Sequence, residues 1–103
     1  MNIPIESVQD IGDLVRLLRR SQGLRHDDLG AIAGCSHKYV VDLEKGKETI
    51  QTGLMLQLLD EMGLKVMIDL PDSLVNTLKT ELKSGSSKIP DDRRGAWLLK
   101  IEP

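Results

Sequence analysis

Both histidines and the single cysteine of this chain lie close together, at His26, Cys35 and His37. Three such residues at these intervals fall short of a zinc site, which needs four donors at characteristic spacings, so Cys35 is read as a small buried hydrophobe. His26, Asp27 and Asp28 have the look of acid–base material. No nucleophile, glycine-rich phosphate loop or ligand quartet accompanies them, and acids at a helix start are accounted for by the helix dipole. Neither catalysis nor a cofactor or metal is therefore expected. Residues 36–39 offer a different chemistry. Ser36, His37, Lys38 and Tyr39 combine donors, acceptors and an apolar ring, a set suited to base edges and phosphates.

Such a cluster is useful only if a helix presents it, and the spacing predicts one. Cys35, Val40 and Leu43 fall on one side of a short helix and the turn before it, leaving His37, Lys38 and Lys45 on the other surface. Ser36 is placed to cap this helix, which runs to about Lys45 and stops at Gly46. An earlier helix follows the interval Val8, Ile11, Leu14, Val15 and Leu18, with Ser7 and Asp10 as its capping arrangement and Gln22 and Gly23 as its stop. HDDLGAIAG supplies the next, with Asp27 and Asp28 in its first turn and Gly34 as its left-handed end. Gly30 in the middle of that helix implies a neighbour passing too close for a side chain. A fourth helix is expected from Thr52 to Met62, with Met55, Leu56, Leu59 and Met62 inward and Gly63 as its stop.

Two short helices joined by a tight glycine turn form a helix-turn-helix, locked by Leu29, Ala33, Cys35, Val40 and Leu43. By pattern alone, the same hairpin also fits a plain helical bundle. Charge does not decide between them. With 14 basic and 16 acidic residues the chain is slightly negative, which argues against indiscriminate coating of nucleic acid but leaves room for a local patch. Basic residues gather at Arg16, Arg19, Arg20 and Arg25 and again at Lys38, Lys45 and Lys47. The apolar runs are too short and too interrupted for a membrane span, and residues 1–10 lack the features of a signal peptide, so a cytoplasmic protein without membrane contact is expected.

Beyond Gly63, KVMIDL alternates Val66, Ile68 and Leu70 against Lys65, Met67 and Asp69, which predicts a strand closed by Pro71. A further helix is expected after Asp72, with Leu74, Leu78 and Leu82 as a narrow stripe. Residues 84–95, SGSSKIPDDRRG, read as a linker. AWLLKIE then places Trp97, Leu99 and Ile101 on one face of a second strand.

Residues 23–68, GLRHDDLGAIAGCSHKYVVDLEKGKETIQTGLMLQLLDEMGLKVMI, resemble the lambda-repressor-type (Xre or Cro/CI) helix-turn-helix domain, and within it the HipB-type antitoxins. The resemblance runs from about Val8 to Leu70. It is carried by CSHKYVVDLEKGKET, similar to a run of two basic residues and an aromatic before apolar-Asp-Leu-Glu-x-Gly-Lys, and by LQLLDEMGLKVMI, similar to the helix, Gly-Leu and closing strand of that branch. It implies a mainly α, four- to five-helix domain over residues 1–70 with a C-terminal dimerisation strand, followed by a helix and strand tail over residues 71–103. It further implies a homodimer on double-stranded operator DNA that represses its own operon and neutralises a HipA-type Ser/Thr kinase toxin. Base readout is thereby assigned to Ser36, His37, Lys38 and Tyr39, phosphate contact to His26, Lys45 and Lys47, and dimerisation to Val66, Met67, Ile68 and Leu70.

Two positions depart from that pattern. Arg25 and His26 stand where the family has Thr or Ser followed by Gln, and Glu48 replaces a common proline. Asp42 is read as the structural partner of a nearby arginine, and Glu44 as a structural anchor. The tail either packs on the domain and adds AWLLKIE to the sheet, or folds onto the kinase with Trp97 and Leu99 as anchors; the second use is preferred. The alternatives for the whole chain are a helix-turn-helix interaction module and a stand-alone regulator with no toxin partner.

Overall fold

The computed structural model describes residues 1–84 and 89–101. It divides into two compact units, Met1–Val66 and Met67–Pro103. The first holds α1 (Val8–Ser21), α2 (His26–Ala33), α3 (His37–Glu44) and α4 (Thr52–Glu61); the second holds α5 (Asp72–Lys83), a 3₁₀ turn at Asp91–Arg93 and α6 (Leu98–Ile101). Local chemistry sets the ends of the first four helices. Ser7 Oγ accepts from the Asp10 N–H at 3.1 Å and caps α1, while Asp10 Oδ2 accepts from the Glu6 N–H at 2.9 Å and holds the chain just before it. Ser36 starts α3 in the same manner, accepting from the Tyr39 N–H at 3.0 Å. Gly34, at φ +73°, ends α2, and the Cys35 N–H returns to the Gly30 carbonyl at 2.9 Å.

A single apolar cluster of Val15, Leu29, Ala33, Val40, Leu43, Leu58 and Leu59 forms the core of the first unit. Val8, Ile11, Cys35, Tyr39, Ile50, Met55, Met62 and Leu64 pack around it. The expected helices and locking residues are thus present, with one exchange: Leu58 points inward, and Leu56, expected inside, is 45% exposed. In α4 the inner stripe passes through 55, 58, 59 and 62, which is the regular helical interval.

The strand expected at residues 65–70 is not formed. Residues 64–70 carry no regular structure, and no strand occurs among the described residues. A strand exists only by pairing with a neighbour, and one chain supplies none to this segment. Val66, Met67 and Ile68 are 58%, 66% and 88% exposed, while Leu70 is half-buried.

The second unit corrects a further expectation. AWLLKIE is not a strand: Leu98, Leu99 and Lys100 donate their N–H groups to the carbonyls of Gly95, Ala96 and Trp97, and Leu98–Ile101 is helical. Ala, Leu and Lys are strong helix formers, and the helical turn satisfies these amides without a strand partner. α6 packs against α5, and Leu98, not part of the expected apolar face, is the buried residue at 1% exposure. Trp97 and Leu99 are 50% and 79% exposed. On α5, Val75 joins Leu78 and Leu82 as half-buried, while Leu74 is exposed. The linker expected at residues 84–95 lies partly outside the described residues, at positions 85–88, as does the last Glu102 of AWLLKIE; residues 91–93 of it form the 3₁₀ turn.

Candidate nucleic-acid interface

α2 and α3 meet so closely that a Cβ at Gly30 would stand 2.7 Å from the Cys35 carbonyl oxygen. Glycine is required there by the approach of the turn backbone, which fixes how α3 leaves α2. Buried Val40 and Leu43 point α3 into the core, so the opposite stripe of His37, Lys38 and Lys45 is left outside. Ser36 is exposed at the start of this stripe, and the first turn of α3 contains no acid. The N-terminal end of α3 therefore turns exposed polar side chains and the positive end of the helix dipole toward solvent.

His26 opens α2 beside this end of α3. Its ring and that of His37 are edge to face, with centroids 5.6 Å apart. Together with Arg19, Leu24, Arg25 and Asp27 they line an open groove between the helix starts. Arg25, at the N-cap of α2, forms no side-chain cap. The N-terminus is instead closed from the other direction, because Asp28 Oδ2 accepts from the Arg25 N–H at 2.8 Å. That hydrogen bond, with the nearby Arg25 charge, holds the Asp28 carboxyl below its usual range.

A buried ionic clamp ties the start of α2 to the end of α3 and to α1. Arg19 Nε and Nη2 donate to Glu44 Oε2 and Oε1 at 2.7 and 2.9 Å, and Arg19 Nη1 donates to the Leu24 carbonyl at 2.8 Å. His26 Nε2 lies 3.2 Å from Glu44 Oε1. One carboxylate thus joins α1, α2 and α3. Burial pushes the Glu44 carboxyl up, but the hydrogen bonds and charge of Arg19, helped by His26, outweigh it and hold the group below its usual range. Glu44 is the structural anchor expected of it. Arg19 is not part of a solvated basic face: it is buried at 7% exposure. The signal was its interval, since Arg19 continues the inner stripe of Gly12 and Val15.

The other expected site residues are placed as follows. Tyr39 packs its ring against the core, and its hydroxyl donates to the Gln51 carbonyl at 2.6 Å, which fastens α3 to the start of α4. Burial first, and Cys35 second, push its phenol up to about 12, so it stays neutral. Lys38 and Lys47 both approach Asp42 Oδ2, at 2.9 and 3.7 Å. The partner of Asp42 is therefore a pair of lysines, not an arginine, because Arg19 is committed to Glu44 and Lys38 stands one helical turn before Asp42. The hydrogen bond and charge of Lys38, then Lys47, hold the Asp42 carboxyl low. Lys45 is exposed. Cys35 is half-buried, with its thiol pushed up by burial. No group of three or more metal-ligating side chains occurs among the described residues, and no helix among them is long and apolar enough to cross a membrane.

Two likenesses accord with this geometry. Residues 10–66 match a family model described as a helix-turn-helix domain. Over 67 residues the chain is 45% identical to the uncharacterized HTH-type transcriptional regulator y4mF of Sinorhizobium fredii, a match that covers 65% of this chain and 88% of the relative. More than half of the chain lies within the family model, and α2, the glycine turn and α3 stand inside that match. The chain belongs to the helix-turn-helix family, in its Xre-like, lambda-repressor-like form, and carries that family's DNA-binding domain.

Proposed function

We propose that the protein is a sequence-specific transcriptional regulator that lays α3 in the major groove of operator DNA as a homodimer. The single observation that carries this reading is the solvent-facing stripe of α3, headed by Ser36, His37 and Lys38 and backed by a buried clamp that fixes its direction. In this reading Ser36, His37 and Lys38 meet base edges, and the Tyr39 ring stands behind them with its hydroxyl held internally. His26, Lys45 and Lys47 contact phosphates. Val66, Met67, Ile68 and Leu70 pair with the same segment of a second copy, an assignment supported by the exposure of Val66, Met67 and Ile68. Residues 1–70 then form the binding and dimerisation part and residues 71–103 the tail.

The finer role is that of an antitoxin of the HipB type, which represses its own operon in the cytoplasm and neutralises a HipA-type Ser/Thr kinase. The resemblance of residues 35–49 and 56–68 supports it, and the exposed Trp97 and Leu99 suit anchors for a protein partner. Truncation after Asp72, followed by co-purification with the product of the neighbouring reading frame and by an operator-binding assay, tests the tail. The truncated chain is expected to keep operator binding and lose the kinase. Equal capture and inhibition by the truncated and full chains would exclude a role for Trp97 and Leu99 in recognition.

A further inference from the structure

Asp42 is an acid on the helix assigned to DNA, and its surroundings give it a use. Lys38 Nζ and Lys47 Nζ converge on the same oxygen, Asp42 Oδ2, at 2.9 and 3.7 Å. Both lysine side chains are open to solvent, at 78% and 51% exposure, whereas that of Asp42 is only 23% exposed. Lys47 is held within reach by its own backbone, because its N–H donates to the Asp42 carbonyl at 3.1 Å where the chain leaves α3. One carboxylate therefore occupies two of the cations on this face.

We propose that Asp42 is a specificity-determining residue: it engages Lys38 and Lys47 so that the face has little general attraction for phosphate, and only a site offering better partners draws the lysines away. This rests on the reading that α3 meets DNA. Ion pairs this exposed are weak and are easily exchanged for a base edge or a well-placed phosphate. An uncommitted lysine, in contrast, adds to affinity for any duplex, because each phosphate neutralised adds about 0.9 to the slope of log K against log salt. The carboxylate, still charged where its neighbours are, also repels the backbone wherever the lysines are not drawn off it.

The test is fluorescence anisotropy of wild type, Asp42→Asn and Asp42→Glu on two short duplexes across a salt series. One duplex is enriched from a random pool by the wild-type chain; the other is its scrambled sequence. Asp42→Asn is expected to bind the scrambled duplex roughly tenfold tighter near 0.1 M salt, with a slope steeper by about 0.9, the effect of one further phosphate contact. The enriched duplex should gain less, so discrimination falls, and Asp42→Glu, which keeps the charge, should stay close to wild type. Unchanged affinity and slope on the scrambled duplex would overturn the proposal. So would a loss confined to the enriched duplex, which would make Asp42 a reader of cytosine amino groups. Lys45→Ala, measured alongside, separates the two levels. A flattened slope in Lys45→Ala with no effect in Asp42→Asn leaves the DNA face standing without this role, whereas no binding by wild type removes both.

Discussion

Glu44 shows how much of the interface depends on one side chain that never reaches the surface. It accepts from Arg19 of α1, lies 3.2 Å from His26 of α2 and belongs to α3, so the three helices share one carboxylate. Removing one member of a buried pair leaves the other charge without compensation, at a cost of about 3–5 kcal/mol. Glu44→Ala should therefore lower the melting temperature well beyond what a surface change does, measured by circular dichroism. The pH dependence follows from the direction of the shift. Glu44 is held below the usual carboxylate range, so its contribution to stability is fully present above that range and is lost as pH falls through the lower folded-state value. Glu44→Gln should remove this part of the acid sensitivity, leaving a shallower decline in acid than wild type. An unchanged acid profile would mean that the carboxylate is not ionised in the clamp. The anchor role of Glu44 was legible in the sequence, but its partner was not: Arg19 is 25 positions away, and pairing at that separation leaves no local trace.

At the scale of elements, the crossing of α1 and α3 is as tight as that of α2 and α3. A Cβ at Gly12 would run into the Leu43 carbonyl and stand 3.0 Å from the Glu44 Cα, backbone that has no rotamer with which to yield. Gly12→Ala should cost about 1–3 kcal/mol through overpacking, against a helix-propensity gain of no more than about 1 kcal/mol. Gly53 in α4 is the control, since its Cβ would meet only the Gln51 side chain at 3.4 Å. Gly53→Ala should be neutral or stabilising by up to about 1 kcal/mol, so chemical denaturation should separate the two alanines by sign. Equal effects would contradict the crossing. Helices α1 to α4 were readable because their ends are local chemistry: Ser7 and Ser36 as caps, Gly34, Gly46 and Gly63 as stops. α6 was not readable. Its apolar residues at 97, 98, 99 and 101 fit a period of two as well as a helical turn, and the choice depends on whether a sheet edge is present to receive them.

For the whole molecule, assembly turns on the segment after α4. Val66, Met67 and Ile68 expose apolar side chains on a stretch whose backbone joins no strand ladder among the described residues. In the proposed dimer a second copy would satisfy both, and an inverted-repeat operator would need the two α3 helices about one duplex turn apart. Sedimentation at micromolar concentration should give a dimer, and Met67→Pro should weaken it if that N–H pairs across the two-fold axis. A monomer in both cases would remove the dimer from the account. Whether the outer stripe of α3 reads DNA is decided by the binding of single-alanine variants to an enriched duplex and to its scrambled form. His37→Ala or Lys38→Ala should lose about 1–3 kcal/mol of discrimination between the two duplexes, while Lys45→Ala should weaken both alike and flatten the salt dependence. Wild-type affinity, discrimination and salt slope in all three variants would contradict that role.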